Sequence, residues 1–219
     1  MQNPILRPWH VPMLLISLSL IPFAATTNRL ISLIHADPVA PDSAMTRYGG
    51  DWGMLVGHIL IGCLFLILAA FQFSPELRVR YRLWHRVSGK IAMVAGITAG
   101  LSGIWLVLAY PPSPLATLLM DALRVLFGAA LAGSIVLAFL AICRRDVPRH
   151  RAWMIRAFSI AVAGSTQALV IGLWLAAAQK LTPDSATVLI GLGFVINLAV
   201  AEWCIRAPSR ITAMQITVN

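Results

Sequence analysis

Residues 53–90 read GMLVGHILIGCLFLILAAFQF and then SPELRVRYRLWHRVSGK. The first part, Gly53–Phe73, has no Asp, Glu, Lys or Arg; the second has Arg78, Arg80, Arg82, Arg86 and Lys90 against the single acid Glu76. An uncharged apolar run of about 20 residues is what a helix needs to cross the hydrocarbon core of a bilayer. Cations clustered directly after such a run mark the end that stays cytoplasmic. One stretch therefore predicts both a span and its direction.

The pattern repeats along the chain. Apolar segments run Val11–Phe23, Gly53–Phe73, Ser88–Tyr110, Ala122–Ile142, Ala152–Ala178 and Ala186–Ile205, and with their flanks the first and fourth become spans over 11–27 and 118–142. Alternate loops then fall on alternate sides. One side collects Arg7, the five cations after Gly53–Phe73, Arg144, Arg145, Arg149, Arg151, Arg156, Arg206 and Arg210; the other keeps only Arg29, Arg47, Arg124 and Lys180. The expectation is an all-α polytopic integral membrane bundle of six transmembrane helices, N-in/C-in. It forms a single transmembrane domain over 1–219, multi-pass in a bacterial inner (cytoplasmic) membrane. Arg7, Val11–Phe23 and Ala24-Ala25-Thr26 also have the make-up of a secretory signal peptide, and the segment is read here as a retained span.

Composition agrees. Apolar residues make up 59% of the chain and charged residues 11%, and the mean hydropathy is +0.82; a water-soluble core of this length could not hide so much apolar surface. The net charge of +9 would indicate nucleic acid in a soluble protein, but here the cations sit in juxtamembrane loops, where anionic headgroups attract each by about 1 kcal/mol. The expected partner is the phospholipid bilayer and its anionic headgroups, with Arg78, Arg80, Arg82, Arg86, Arg149, Arg151 and Arg156 as lipid- or anion-binding residues, and no nucleic acid. Cys63, Cys143 and Cys204 are widely spaced and read as packing residues. Hydrolase and nucleotide-driven classes lack support, because HExxH, GxSxG, P-loop and GxGxxG patterns do not occur.

Polar groups at membrane depth are costly and therefore informative. His58 lies ~9 Å below the outer end of its span, and Gln167, ~22 Å from the inner start of span five, returns to nearly the same depth. With Arg124 and Trp105 they outline an expected outer-half polar pocket, against which stands the reading of His58, Gln167 and Asn197 as interhelical hydrogen-bonding residues. Asp121 and Arg124 have ion-pair spacing, as do Glu202 and Arg206. Gly96 and Gly100 form a GxxxG suited to close helix packing. In the other leaflet His85-Arg86 and His150-Arg151 each open an outward-running helix, an echo consistent with a duplicated hairpin or with two independent interfacial anchors. Two such imidazoles could ligate one haem iron; the alternative is that each pair binds lipid phosphate. His85, His150 and His58 are thus the candidate cofactor-binding residues, haem b the candidate cofactor, and no metal site is expected.

These residues carry a resemblance. Gly57-His58, Phe71-Gln72-Phe73, His85-Arg86-Val87-Ser88-Gly89-Lys90 and His150-Arg151-Ala152-Trp153-Met154-Ile155-Arg156 resemble, over Leu55–Leu173, a group of bacterial polytopic membrane proteins known as domain of unknown function 2306. The resemblance implies that His58, Gln72, His85, Arg86, Gly89, His150, Arg151, Trp153, Met154 and Arg156 are family positions. It also implies an arginine late in span five, where this chain has Ser165-Thr166-Gln167-Ala168, a departure that weakens any arginine-dependent anion site. It implies a fold and no reaction. The leading expectation is a non-catalytic accessory or assembly subunit of a larger membrane complex. The alternative is a membrane redox protein binding haem b or a quinone through His85 and His150, and a small-molecule transporter comes third.

Overall fold

The computed structural model describes residues 53–178 and 180–216, together with Met13, Leu15, Ser17 and Ile31. Its helices are α1 (Gly53–Gln72), α2 (Pro75–Arg80), α3 (Arg82–Ala109), α4 (Leu118–Cys143), α5 (Val147–Ala161), α6 (Ala163–Ala178) and α7 (Pro183–Ile216), with no strand among the described residues. Among the described residues, five segments are long and apolar enough to cross a membrane: Gly53–Gln72, Arg82–Ala109, Leu118–Cys143, Val147–Ala177 and Pro183–Ala207. The expected first span over 11–27 lies, but for three positions, outside the described residues.

Local chemistry sets the boundaries. Ser74 Oγ accepts the Leu77 N–H at the start of α2, Thr117 Oγ1 accepts the Met120 N–H at the start of α4, and the Asp146 carboxylate accepts the Arg149 N–H of α5; each satisfies a donor the first turn would otherwise orphan. The reversal between α4 and α5 takes three residues. Arg145 adopts φ 61°, its N–H bonds Ile142 O, and the Asp146 N–H bonds Ala141 O. This is a Schellman closure built on arginine where glycine is usual. The basic stretch after α1 forms the short helix α2, and α3 starts at Arg82, earlier than the expected Ser88.

The span over 147–177 is broken at Val162. The Ser165 N–H bonds Val162 O, three residues back, which tightens the backbone there; a Gly164-Ser165 pair is a usual site for such a kink. The carbonyl of Ser159 finds its donor across the interface, in the side-chain amide of Asn197 at 3.1 Å.

Packing follows the chain: α1 lies against α3, α3 against α4, α4 against α5, and α7 against α5, α6 and α4. The core sits where Phe65, Ala69, Ala92, Ala95, Ile135, Ala138, Ala157 and Phe158 meet. Small residues dominate because lipid tails offer no hydrophobic drive to push helices together; close backbone approach supplies the attraction instead. A Cβ on Gly100 would lie 2.7 Å from Gly128 O, and one on Gly96 would run into Ile135 and Phe65. Outside this seam the bundle is apolar, with only 17–33% of each span buried. A surface of that kind is stable in lipid and not in water.

Candidate functional site

The two sequence-singled histidines occupy the same place in their helices. His85 is the fourth residue of α3 and His150 the fourth of α5, their N–H groups bonded to Tyr81 O and Asp146 O. Nδ1 of His150 lies 2.9 Å from the carbonyl oxygen of Ala138 on α4. A carbonyl only accepts, so Nδ1 carries the proton and Nε2 of the neutral ring carries the lone pair. Nδ1 of His85 is buried and has no hydrogen-bond partner among the described residues. Arg78 and His150 are the groups whose charge, when present, bears on His85.

The wall beside His85 is pinned. Gln72 Nε2 donates to Ser88 Oγ at 2.8 Å, and the Ser88 hydroxyl donates to Trp84 O at 2.6 Å. A side chain on Gly89 would press on Gln72 Oε1 at 3.2 Å. Trp84 meets Phe71 edge-on at 5.9 Å. The end of α1 is thereby fastened to the first turns of α3, and His85 lies between the fastening points.

Arg78, Arg80, Arg82, Arg86, Arg149 and Arg151 are exposed. Arg156 differs from this set: its Nε donates to Glu202 Oε1 at 2.6 Å and its guanidinium stands 4.7 Å over the Trp153 ring. The expected Arg206–Glu202 pair is present at 3.4 Å but is the longer of the two contacts.

In the other half of the bundle, His58 Nδ1 is 2.8 Å from Ser102 Oγ on α3, and Gly103 leaves room for its ring, with a Cβ there falling 3.2 Å from His58 Cε1. Ser102 follows His85 by 17 positions on the same helix, ~26 Å along the axis, so the two histidines serve separate regions. Gln167 donates to Ile190 O at 3.2 Å, Arg124 pairs with Asp121 at 3.1 Å, and Trp105 is 55% exposed. His58, Gln167 and Arg124 of the expected outer pocket thus each have their own partner, and the hydrogen bonds do not join the four residues into one set. Asn197 is interhelical, as the hydrogen-bonding reading had it, and sequence could not name its partners: Thr166 donates to Asn197 Oδ1 at 2.8 Å while the Asn197 amide donates to Ser159 O. The available signal was a Gly164-Ser165 pair within an apolar run.

A family model described as "Predicted membrane protein (DUF2306)" matches residues 55–205, from the first turn of α1 well into α7. No curated protein and no solved structure matches the chain.

Proposed function

Because the chain belongs to the DUF2306 family of predicted membrane proteins, we propose that it is a six-span protein of a bacterial inner membrane in which His85 and His150 are the axial pair for a haem b. Both termini are cytoplasmic in this reading, residues 1–219 form one transmembrane domain, and the histidine pair sits at the cytoplasmic end. The observation that carries the proposal is the state of the two imidazoles. A metal-ligating histidine ordinarily donates its second N–H to a carbonyl or carboxylate, which fixes the tautomer and aims the lone pair. His150 does this with Ala138 O. Nδ1 of His85 is buried with no partner among the described residues, a condition that costs about 1–3 kcal/mol unless a ligand at that nitrogen relieves it.

Donor chemistry selects among ligands. No group of three or more His, Cys, Asp or Glu side chains among the described residues could hold a metal ion, and a bare ion needs about four ligands. A porphyrin brings most of its iron's ligands itself, so His85 and His150 are the residues that would hold a haem, and two imidazoles suit that donor set. When bound, haem would supply one-electron transfer; the protein would hold the two imidazoles in place through the Gln72–Ser88–Trp84 and His150–Ala138 contacts.

The test is the visible spectrum of the full-length protein purified in detergent, oxidised and then reduced with dithionite. A Soret band that shifts and sharpens on reduction is expected, lost in His85→Ala and in His150→Ala and retained in His58→Ala. A featureless spectrum with no iron by elemental analysis would overturn the haem reading and leave the accessory or assembly role as the one to pursue.

A further inference from the structure

A second feature lies on the outer surface of the bundle, between α1 and α3. A groove of about 320 Å³ is lined by Ile61 and Leu64 from α1 and by Lys90, Ile91, Val94 and Ala95 from α3. Leu64, Ile91 and Val94 open outward, at 42%, 46% and 66% exposed. Lys90 supplies the groove's only charged group.

That lysine continues a stripe. Arg82, Arg86, Lys90 and Val94 recur every four residues and so lie along one face of α3. Lys90 stands ~12 Å from the start of the helix, within reach of the headgroup layer if its aliphatic stem lies along the apolar wall and its ammonium turns back towards Arg86. Acids are scarce here: between Asp51 and Asp121 the sequence has only Glu76, against Arg78, Arg80, Arg82, Arg86 and Lys90. No ion pair among the described residues engages Arg82, Arg86 or Lys90.

We propose that this groove and stripe bind one anionic phospholipid, its phosphate and acidic headgroup on Arg82, Arg86 and Lys90 and one acyl chain between Ile61 and Val94. The charge sequence selects the occupant. A free phosphate would use the cations and leave the apolar groove unfilled, and a zwitterionic lipid would carry its own ammonium into a cluster of cations. An anionic lipid satisfies both halves. The site is independent of His85 and His150 and stands or falls separately from the haem reading.

Native mass spectrometry of the detergent-purified full-length protein tests it, with phosphatidylglycerol or phosphatidylcholine of identical acyl chains added. A phosphatidylglycerol adduct should dominate. Lys90→Gln should weaken it about five-fold, the value of one juxtamembrane cation, while Lys90→Arg keeps it. Val94→Trp, which fills the groove without touching a charge, should weaken it as well. All three substitutions are at exposed positions, and circular dichroism will confirm that the helices persist. Equal binding of the two lipids, undiminished adducts in Lys90→Gln and Val94→Trp, or displacement by inorganic phosphate would each overturn the site.

Discussion

Glu202 shows how a side chain's partner is settled. Sequence spacing pairs it with Arg206, one turn on, and that contact exists at 3.4 Å. The shorter contact, at 2.6 Å, comes from Arg156 on another helix, 46 positions away, where no periodicity could point to it. Arg156 had every sequence mark of the exposed arginines around it; its place over the Trp153 ring and beside Glu202 depends on how α5 meets α7. Because the two groups are 26% and 32% exposed, solvent screens the pair, and its coupling should be about 1 kcal/mol. Thermal melts in detergent of Glu202→Gln, Arg156→Gln and the double variant measure that coupling; additive losses would show the contact to be incidental. His150 repeats the lesson. Its position at a helix start was legible, but its tautomer rests on the carbonyl of Ala138 across the α4–α5 turn.

Helices α3 and α4 meet through backbone. A Cβ on Gly100 would sit 2.7 Å from Gly128 O, and a carbonyl in a helix cannot step aside as a flexible side chain can. Gly100→Ala should therefore force the helices apart and cost about 1–3 kcal/mol, the usual range for overpacking. Gly133, on the same α4, has nothing within 4 Å of its would-be Cβ, so Gly133→Ala should leave the melting temperature in detergent unchanged or slightly raised. Equal gains in the two variants would mean that helix propensity, not packing, governs these positions. The GxxxG was visible as a pattern; which helix it faced was not. The break at Val162 was hidden for a related reason. A hydropathy profile registers apolar length, and 147–177 passes that measure despite Ser165, Thr166 and Gln167, whereas the group that takes up Ser159 O is Asn197 of a distant helix.

For the whole molecule, the partition of cations predicts sidedness. Reporter fusions measure it: alkaline phosphatase inserted at Ser113 should be active, and green fluorescent protein placed after Ala207 should fluoresce, since the first lies in a cation-poor loop and the second follows Arg206. The reverse pattern would invert the orientation and place His85 and His150 on the outer side. The apolar exterior belongs to the same level of description. With at most 33% of any span buried, most apolar side chains face outward and are satisfied by lipid, which is why composition alone could separate this chain from a soluble fold.

Span number, span length and the side on which the cations gather are additive properties of short stretches, and the sequence carries them because a bilayer sorts residues one segment at a time. For the described residues that covers five spans, the Asp121–Arg124 pair and the placing of both histidines at helix starts. The Arg156–Glu202 contact, the Asn197 clasp on the broken helix and the unpartnered nitrogen of His85 depend on which helices become neighbours. That choice is made jointly by Gly96, Gly100, Gly128 and the alanine seam, whose complementary shapes exist only once the helices are assembled.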